Sequence, residues 1–429
     1  MAEEKFDVII VGAGPAGSVA GYLLARAGLE VLIIERGDFP GSKNMTGGRL
    51  YNHSLEKIMP GFSKEAPVER KVVKETVTML TEDSAVSLDF RSPLSGEEKQ
   101  DSYTVLRADF DQWLAGKAEE AGAIIAPGVR VDNLLIRDGK ITGVIAGEDE
   151  MEADVVILAD GVNSLLAQKA GLKAELKPSQ VAVGVKEIIE LPEAVIEDRF
   201  NLNAGEGAAR LFVGACTKGK IGGGFLYTNK NSISLGLVFT LADLADSSFT
   251  VPQMLEDFKE HPAVKPLIKG GKLAEYSGHL VPEAGLGMLP RLYDDGVLVV
   301  GDAAGLVINI GYTVRGMDLA IASGEAAAQA VLEARDKGDF SKESLAKYKT
   351  LLDESFVMRD LKQYQKFPQF MENRRIFTQY PQLAVDVLKD MYVIDGSPGK
   401  PLLNKVLTRA KKVGIFTIIK DGWKGVKAL

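Results

Sequence analysis

A glycine-rich turn between two apolar segments is the feature that most constrains how this chain can fold. The apolar run Asp7–Val11 leads directly to Gly12, Gly14 and Gly17, the ten residues after Gly17 have helical spacing, and a second apolar run ends at Glu35. In such a unit the glycines permit a tight turn, admit a pyrophosphate to the backbone and let helix and strand pack closely. Glu35 is placed to accept hydrogen bonds from ribose hydroxyls. The segment therefore predicts a dinucleotide-binding βαβ unit. A ligand-free turn is the alternative, which the register of all four parts disfavours.

Two acidic turns later in the chain indicate which dinucleotide binds. Asp160 and Asp302 each follow a short apolar run of the kind that forms a buried parallel strand, and each lies beside a glycine, Gly161 or Gly301. A carboxylate in such a loop is placed to bind a ribityl or ribose hydroxyl. Because NAD has no ribityl chain, acidic turns this far from the first glycine turn favour FAD. An ordinary Asp-Gly or Gly-Asp turn is the alternative at either position taken alone.

Composition and charge exclude several classes of protein. Of the 429 residues, 46% are apolar and 26% are charged, which is typical of a globular protein with a sizeable core. The net charge of −8 makes nucleic acid a poor candidate partner. No segment reaches the roughly 18 consecutive apolar residues of a transmembrane helix, and the acidic N-terminus differs from a secretory signal, so we expect a cytoplasmic location. The three histidines are scattered and predict no metal site.

The remaining pattern predicts domains that are interleaved along the chain, because no tandem repeat or low-complexity linker separates one from the next. Turns are predicted at 137–139, 222–224 and 229–231. Further predicted elements are strands at Val77–Leu88, Val129–Gly143, Asp154–Leu158, Val181–Phe239 (mostly strand) and Gly296–Val300, and helices at Phe110–Ala121, Met317–Arg335 and Lys342–Lys366.

The last thirty residues differ in composition from the rest of the chain. Lys400–Leu429 contains eight basic residues and one acidic residue, a net charge of +7, and its apolar positions from Leu403 to Val413 have helical spacing. Basic side chains combined with Phe416, Trp423 and several isoleucines are typical of a helix at a membrane surface. Docking of an acidic partner subunit is the second interpretation, and a solvated tail is the third.

These motifs are similar to those of a known group of flavoproteins. The glycine turn, the two acidic turns, and Arg107 with Phe110-Asp111 resemble the FAD domain shared by aromatic hydroxylases, geranylgeranyl reductases and electron-transfer-flavoprotein:quinone oxidoreductases. FixC-type proteins are a subgroup homologous to the last of these, and the resemblance to them runs from about Phe6 into the C-terminal region. Three segments resemble FixC-type proteins specifically: 41–51 (GSKNMTGGRLY), 222–228 (GGGFLYT) and 311–320 (GYTVRGMDLA).

The resemblance implies an α/β fold built around a Rossmann-like FAD-binding domain of the hydroxylase type. That domain would be discontinuous, consisting of residues 1–173 and 290–340. A mixed or antiparallel-sheet substrate (quinone) domain would be inserted at 174–289. A helical C-terminal region at 341–429 would end in the basic amphipathic segment that contacts a membrane or a partner. The flavin would carry the redox step, so no catalytic side chain is assigned.

The motifs and the resemblance together identify candidate binding residues. Arg107 resembles the arginine that faces the FAD phosphates or the ring edge in these folds, and the 41–51 loop resembles the segment beside the flavin ring. The candidate FAD-binding residues are Gly12, Ala13, Gly14, Pro15, Ala16, Gly17, Glu35, Arg36, Lys43, Thr46, Gly47, Gly48, Arg107, Val131, Ala159, Asp160, Gly161, Gly301, Asp302, Gly311, Gly316 and Met317. The candidate quinone-binding residues are Gly223, Phe225, Tyr227 and Tyr312, although aromatic residues near a sheet also serve as plain core.

The sequence allows two interpretations for each of two further side chains, Arg315 and His279. A helix that begins after Gly311 would place a positive helix end near the flavin. Arg315 either adds to that positive charge or forms a surface ion pair. His279 either approaches the substrate or is a structural histidine.

The resemblance also implies a function in electron transfer. FAD would take electrons from an electron-transfer flavoprotein with alpha and beta subunits and pass them to a quinone such as menaquinone. In a FixC (EtfC)-type subunit this is the high-potential branch of NADH-driven electron bifurcation. Single-chain relatives hold a [4Fe–4S] cluster on a C-terminal ferredoxin-like domain. Because Cys216 is the only cysteine, that cluster would lie on a separate small ferredoxin-like (FixX-type) partner. The chain would be cytoplasmic and peripheral on the cytoplasmic face of the membrane.

Two alternatives remain open at the level of the sequence. One is a geranylgeranyl-reductase-like FAD enzyme that reduces isoprenoid double bonds. The other is a non-catalytic flavin relay subunit that has no substrate site. A disulfide reductase is excluded, because that chemistry needs a cysteine pair beside the flavin and the chain has one cysteine.

Overall fold

A computed structural model describes residues 5–43, 48–92, 101–245, 247–283 and 285–429. Their strands are β1 (Lys5–Val11), β2 (Val31–Glu35), β3 (Arg49–Tyr51), β4 (Val68–Leu80), β5 (Ala85–Arg91), β6 (Ser102–Val105), β7 (Ile124–Pro127), β8 (Asn133–Arg137), β9 (Lys140–Ala146), β10 (Asp149–Leu158), β11 (Val181–Glu190), β12 (Glu206–Gly214), β13 (Gly222–Thr228), β14 (Ser232–Thr240), β15 (Lys272–Pro282), β16 (Tyr293–Asp294), β17 (Val297–Val299), β18 (Ile308–Asn309) and β19 (Val314–Arg315). Their helices are α1 (Pro15–Arg26), α2 (His53–Ile58), α3 (Arg107–Glu120), α4 (Leu165–Lys169), α5 (Glu193–Phe200), α6 (Leu241–Leu244), α7 (Val251–Glu260), α8 (Lys265–Ile268), α9 (Met317–Lys337), α10 (Lys342–Leu345), α11 (Lys347–Glu354), α12 (Phe356–Gln363), α13 (Phe367–Met371), α14 (Gln379–Tyr392), α15 (Leu402–Val413) and α16 (Ile415–Ala428).

The first sheet contains the predicted βαβ unit. Its strands lie in the order β16-β17-β10-β1-β2-β7, and β1 pairs in parallel with both β10 and β2, while the β8–β9 hairpin extends β10. The central strands are apolar on both faces because helices cover the sheet, as in other parallel sheets. Helix α9 approaches α1 so closely that a side chain at Gly324 would lie 2.3 Å from the Ala16 carbonyl oxygen. The predicted α/β class is therefore confirmed.

The second sheet packs its two faces against different partners. Its strands lie in the order β15-β11-β14-β13-β12-β4-β6-β3, with β5 beside β4, and all its pairs are antiparallel except β4 with β12. Helices α5 and α7 cover one face, where Phe200, Phe239 and Phe258 form a separate core. The strands β3 to β6 come from residues 49–105, before the predicted insertion at 174–289. The predicted division into an FAD-binding domain (1–173 and 290–340), a quinone domain (174–289) and a helical C-terminal region (341–429) remains a proposal.

Three local predictions were wrong. Val77–Leu88 is not one strand, because β4 and β5 form a hairpin with its turn at 81–84. The glycines at 222–224 lie inside β13 rather than in a turn, since a side chain at Gly222 would lie 2.0 Å from the Val238 carbonyl oxygen of the next strand. Lys342–Lys366 contains three helices, because the chain breaks before α12, where Ser355 caps the new helix through the Val357 amide.

The C-terminal helices pack on one another and on the body of the protein. Asp421 of α16 is buried, and its carboxylate accepts hydrogen bonds from the Arg375 Nε (2.6 Å), the Tyr380 hydroxyl (2.6 Å) and the Asn373 amide (2.8 Å). The hydrogen bonds from Arg375 lower the pKa of Asp421. In the described ranges, no helix combines the length and the hydropathy needed to cross a bilayer. The hydrogen bonds of Asp421 therefore hold α16, and α15 packed beside it, against the rest of the protein.

Candidate functional site

The glycine turn leaves an open helix end at the edge of the first sheet. Gly12 has a φ of +106°, and a side chain there would lie 2.4 Å from the Ala159 carbonyl oxygen, so only glycine fits. No described side chain caps α1, whose first-turn amides therefore point out of the turn. Amides and partial positive charge at such a helix end bind phosphate groups.

Glu35 is held beside this turn at the end of β2. Its Oε2 accepts a hydrogen bond from the Ala13 amide (3.0 Å), and its Oε1 accepts one from the Gly37 amide (2.7 Å). The carboxylate is buried and fixed in orientation by these two amides. Each carboxylate oxygen retains a lone pair, so Glu35 can accept hydrogen bonds from ribose hydroxyls, as the sequence predicts.

Asp160 and Asp302 lie at the carboxyl ends of the adjacent parallel strands β10 and β17. The Oδ1 of Asp160 is buried and has no hydrogen-bond partner among the described residues. Burial raises the pKa of Asp160 to about 6 and also raises the pKa of Asp302. A buried carboxyl oxygen without a partner costs free energy unless a ligand hydroxyl donates to it. This pair therefore fits the ribityl and ribose hydroxyls of FAD.

Lys173 joins the two acidic loops and was not singled out from the sequence. Its buried Nζ donates hydrogen bonds to the carbonyl oxygens of Val162 (3.0 Å) and Ala303 (3.0 Å), one in each loop. Burial lowers the pKa of Lys173, and the charges of Asp160 and Asp302 oppose that change. Only the pairing of β10 with β17 brings these carbonyls together, so no local sequence signal identifies the lysine.

One cavity of about 1350 Å³ connects these features with the second sheet. Its volume exceeds the roughly 300–1,000 Å³ of a site for one small ligand, which leaves room for a second molecule beside a dinucleotide. The candidate residues that line it are Gly12, Gly14, Pro15, Ala16, Glu35, Arg36, Lys43, Gly48, Arg107, Val131, Ala159, Asp160, Gly161, Gly223, Phe225, Tyr227, Gly301, Asp302, Gly311, Tyr312, Gly316 and Met317. Ala13 and Gly17 do not line it, and Thr46 and Gly47 lie outside the described residues. The contacts of all these candidate residues with FAD remain a prediction.

Arg107 lies on the cavity wall, and two of its guanidinium nitrogens are hydrogen-bonded to Asp111. The Arg107 Nε and Nη2 donate to the two carboxylate oxygens of Asp111 at 2.7 and 2.6 Å. Burial tends to lower the pKa of Arg107, and the Asp111 carboxylate outweighs it, so the pKa is raised. The arginine is held rigidly and remains charged, as a group facing a phosphate or a ring edge must be.

Three of the four candidate quinone-binding residues lie together on β13. The rings of Phe225 and Tyr227 stack with their centroids 5.5 Å apart, next to Gly223 on the same face. Gly48 approaches closely, because a side chain there would lie 2.6 Å from the Tyr227 ring. Tyr312 also lines the cavity but is 55% exposed. The β13 face offers flat apolar surface, and Tyr312 does not form part of it.

Arg49 is a second residue that the sequence analysis did not single out. Its guanidinium forms an ion pair with Glu75 and lies over the Tyr51 ring, 4.6 Å from the centroid. Its buried Nε has no hydrogen-bond partner in the described part of the chain, although the residue lines the cavity. A cation this close to Tyr227 adds a hydrogen-bond donor to an otherwise aromatic wall.

Arg315 forms an ion pair near the start of α9. Its guanidinium donates to Asp318 (2.6 Å) and to Asp360 (2.6 Å), and His53 Nε2 also contacts Asp318 (3.0 Å). Burial tends to raise the pKa of Asp318, but His53 and Arg315 lower it overall. The ion pair was predicted as a surface feature, whereas the Arg315 side chain is only 17% exposed because Phe356 packs beneath it. His279 lines the cavity, on the side of the second sheet.

The fold and this site define an FAD-dependent oxidoreductase. A family model described as an FAD-binding domain matches residues 5–200, one described as ETF-QO, ubiquinone-binding, matches 181–281, and the ETF-QO/FixC family C-terminal domain matches 367–429. The chain belongs to the ETF-QO/FixC family, in which ETF-QO stands for electron-transfer-flavoprotein:quinone oxidoreductase. It is an FAD-dependent oxidoreductase with a quinone as electron acceptor.

Curated relatives support this assignment over the full length. The chain is 58% identical over 429 residues to Protein FixC of Escherichia coli, and 56% identical over 429 residues to the probable electron transfer flavoprotein-quinone oxidoreductase YdiS of the same species, with complete coverage of both. It is 43% identical over 405 residues to Protein FixC of Azorhizobium caulinodans, covering 93% of this chain and 92% of the relative.

Solved structures show the same fold at low sequence identity. A geranylgeranyl bacteriochlorophyll reductase-like protein from Thermoplasma acidophilum superposes with a TM-score of 0.74 at 22% identity, covering 98% of this chain and 99% of the other. The flavin-dependent brominase Bmp2 has a TM-score of 0.66 at 16% identity, covering 96% and 99%. The predicted hydroxylase-type fold is therefore confirmed.

Proposed function

We propose that this chain receives electrons from an electron-transfer flavoprotein and passes them, through FAD, to a quinone of the menaquinone type. The observation that carries the proposal is the continuity of one cavity from the α1 turn to the aromatic face of β13. That face lies within residues 181–281, the region matched by the ubiquinone-binding family model. A cofactor cradle and an apolar acceptor surface thus share one cavity.

The side chains around this space have separable roles in the proposal. When bound, FAD supplies the ability to accept and release electrons. The first turn of α1 binds the pyrophosphate, while Glu35 and Asp160 accept hydrogen bonds from hydroxyl groups. Phe225 and Tyr227 stack on the quinone ring and exclude water from it. Arg49 donates a hydrogen bond to a polar group of the bound quinone or the flavin edge.

The electron donor in this proposal is an electron-transfer flavoprotein with alpha and beta subunits, acting through a small ferredoxin-like subunit of the FixX type. A [4Fe–4S] cluster needs several cysteine thiolates. Cys216 is the only cysteine, it is buried, and burial raises its pKa to about 12. The cluster therefore belongs on the partner. In the bifurcating version of this arrangement, the chain is the high-potential exit for electrons from NADH.

We also propose that the C-terminal helices bring the cavity to the cytoplasmic face of the membrane, where quinones are dissolved. Several large apolar side chains on these helices are more than half exposed; they are Leu402, Leu403, Phe416, Ile419, Trp423 and Val426. The surrounding basic residues suit anionic lipid headgroups. The C-terminal residue Leu429 also lines the cavity, so the helix pair and the cavity mouth are adjacent.

A second candidate function is the reduction of isoprenoid double bonds. The fold is compatible with that reaction, because the geranylgeranyl bacteriochlorophyll reductase-like protein from Thermoplasma acidophilum has the same fold, with a TM-score of 0.74. The two functions predict different acceptors for the same reduced protein, and a non-catalytic flavin relay predicts no acceptor of either kind.

Stopped-flow oxidation of the FAD-loaded, dithionite-reduced protein by a menaquinone analogue tests the proposal. We expect rapid recovery of flavin absorbance that saturates with quinone, while oxygen reacts slowly. Tyr227→Ala is expected to slow this reaction at least tenfold. Tyr276→Ala is the matched control, because Tyr276 lies in β15 on the opposite face of the same sheet. No acceleration by quinone in the unmodified protein would refute the proposal, and oxidation by geranylgeranyl groups instead would establish the second candidate.

A further inference from the structure

Lys186 of β11 lies on the cavity face of the second sheet. Cross-strand partners share a face, and the register places Ser277, Lys186, Gly236 and Phe225 in one row across β15, β11, β14 and β13. The adjacent row contains His279, Gly184, Val238 and Gly223. His279, Phe225 and Gly223 all line the cavity. The lysine itself is not among the residues that line the cavity, but it lies in the same row as Phe225 and beside the row that contains His279 and Gly223.

Gly236 lets the Phe225 ring extend towards Lys186. A side chain at Gly236 would lie 2.4 Å from the Phe225 Cζ, so the end of that ring covers the glycine. Gly236 is the residue directly opposite Lys186 on β14. Neighbouring strands are about 4.8 Å apart, so β11 and β13 are about 10 Å apart, and a ring that lies over Gly236 beside Phe225 is within reach of the four-carbon lysine side chain.

The Lys186 residue is almost completely buried. The residue is 3% exposed, and its Nζ takes part in no hydrogen bond or ion pair among the described residues. The charged and titratable groups facing it are Glu275 and His279 from β15 and Arg107 from α3, while the nearest residues of β14 on this face are Ser234, Gly236 and Val238, which carry no charge. Glu187, next in sequence, points to the other face and pairs with Lys259 at 3.0 Å. A buried cation left unpaired in this way is unusual in a fold.

The surroundings suit proton transfer near neutral pH. Burial lowers the pKa of Lys186 to about 8, with Arg107 lowering it further and Glu275 opposing. An acid is most effective when its pKa is close to the working pH. Burial, Arg107 and Arg36 lower the pKa of His279, so its imidazole is neutral at pH 7. Burial raises the pKa of Tyr227, which makes its hydroxyl a poor acid.

We propose that Lys186 is a catalytic residue that donates a proton to an oxygen of the bound quinone as the quinone is reduced. The inference rests on the proposed quinone reaction. Conversion of a quinone to a quinol adds two electrons, supplied through the flavin, and two protons. One proton leaves the Lys186 ammonium for the nearer quinone oxygen, which leaves a neutral amine. Solvent supplies the proton for the other oxygen and then reprotonates the amine, so charge and protons balance over one turnover.

Three variants separate proton donation from simple charge or packing. Lys186→Met removes the proton, and it is expected to slow quinone-dependent oxidation of the reduced protein about a hundredfold or more at pH 7. Lys186→Arg keeps the positive charge but cannot release a proton near pH 7, so it should be equally slow. Lys259→Met, on the opposite face, is the matched control and should react like the unmodified protein.

The pH dependence and a chemical measurement complete the test. In the unmodified protein the rate should fall as the pH rises through about 8, and this limb should be missing in Lys186→Met. Competitive acetylation by acetic anhydride, read by peptide mass spectrometry, should show Lys186 titrating near pH 8 and protected by menadione. This second measurement uses the unmodified protein and needs no turnover.

Each result bears on the inference separately from the proposed function. A fast Lys186→Arg variant would assign a fixed charge instead of a proton donor and would overturn the inference. A fast Lys186→Met variant, or acetylation that menadione does not affect, would also overturn it while leaving quinone reduction intact. Failure of the unmodified protein to reduce any quinone would instead refute the proposed function.

Discussion

Replacement of Lys186 by methionine should stabilise the folded protein even though it slows the proposed reaction. The residue is 3% exposed and its ammonium has no hydrogen-bond or ion-pair partner among the described residues, so the fold holds an uncompensated charge. Methionine keeps an unbranched side chain of similar length and removes the charge. Replacing buried charged groups by well-packed apolar ones is often stabilising.

The lowered pKa of Lys186 determines how much its charge destabilises the folded protein. A pKa of about 8 in place of the ordinary 10.5 corresponds to about 3 kcal/mol of destabilisation at pH 7, because a tenfold change in a protonation equilibrium is worth about 1.4 kcal/mol. Below pH 8 the lysine is protonated in both the folded and unfolded states, so the whole destabilisation is present. Between pH 8 and 10.5 only the unfolded chain keeps the proton, so the destabilisation shrinks as the pH rises.

Urea unfolding with saturating FAD in every sample measures this difference. We expect Lys186→Met to be more stable than the unmodified protein by about 1–3 kcal/mol at pH 7, with a smaller gap at pH 10. Lys259→Met should be less stable, because it leaves the buried Glu187 carboxylate without its partner. Equal stability of Lys186→Met and the unmodified protein at pH 7, or a gap that is unchanged at pH 10, would refute the reasoning.

Three other substitutions test the site and its supports. Gly12→Ala places a methyl group 2.4 Å from the Ala159 carbonyl oxygen at a positive φ, so the purified protein should have lost most of its flavin absorbance. Arg70→Met removes a fully buried guanidinium that donates to three backbone carbonyls, and urea unfolding should show a loss of about 3–5 kcal/mol. Asp421→Ala breaks the contacts with Arg375 and should raise hydrogen exchange in 402–429 while flavin content is unchanged.

The FAD side of the cavity was predictable because its signals are local in sequence. Strand, glycine turn, helix and acid follow one another from Asp7 to Glu35, and each part restricts the next. Asp160 and Asp302 were also predictable, since the carboxyl ends of parallel strands meet at one edge of a sheet. Lys173 was not, because its partners lie in two loops that become neighbours only when β10 pairs with β17.

The second sheet was harder because its pairing is between distant segments. The strand β12 lies beside β4, more than a hundred residues earlier, and no local pattern encodes that register. Glycines 222–224 resemble a turn in sequence but lie in a strand, since they face the close Val238 carbonyl oxygen and the Phe258 ring. Close packing, rather than chain reversal, explains these glycines.

Lys186 and Glu187 show what the sequence can and cannot convey about such a sheet. Both are charged residues within the apolar segment Val181–Ile189, and both are buried. The sequence therefore marks the strand as unusual, but it does not distinguish the two side chains. The structure does, because Glu187 pairs with Lys259 on the covered face, whereas Lys186 lies on the face of the sheet that borders the cavity and has no ion pair among the described residues. A charge that these residues leave unpaired beside a ligand cavity is best explained by the ligand that the cavity binds.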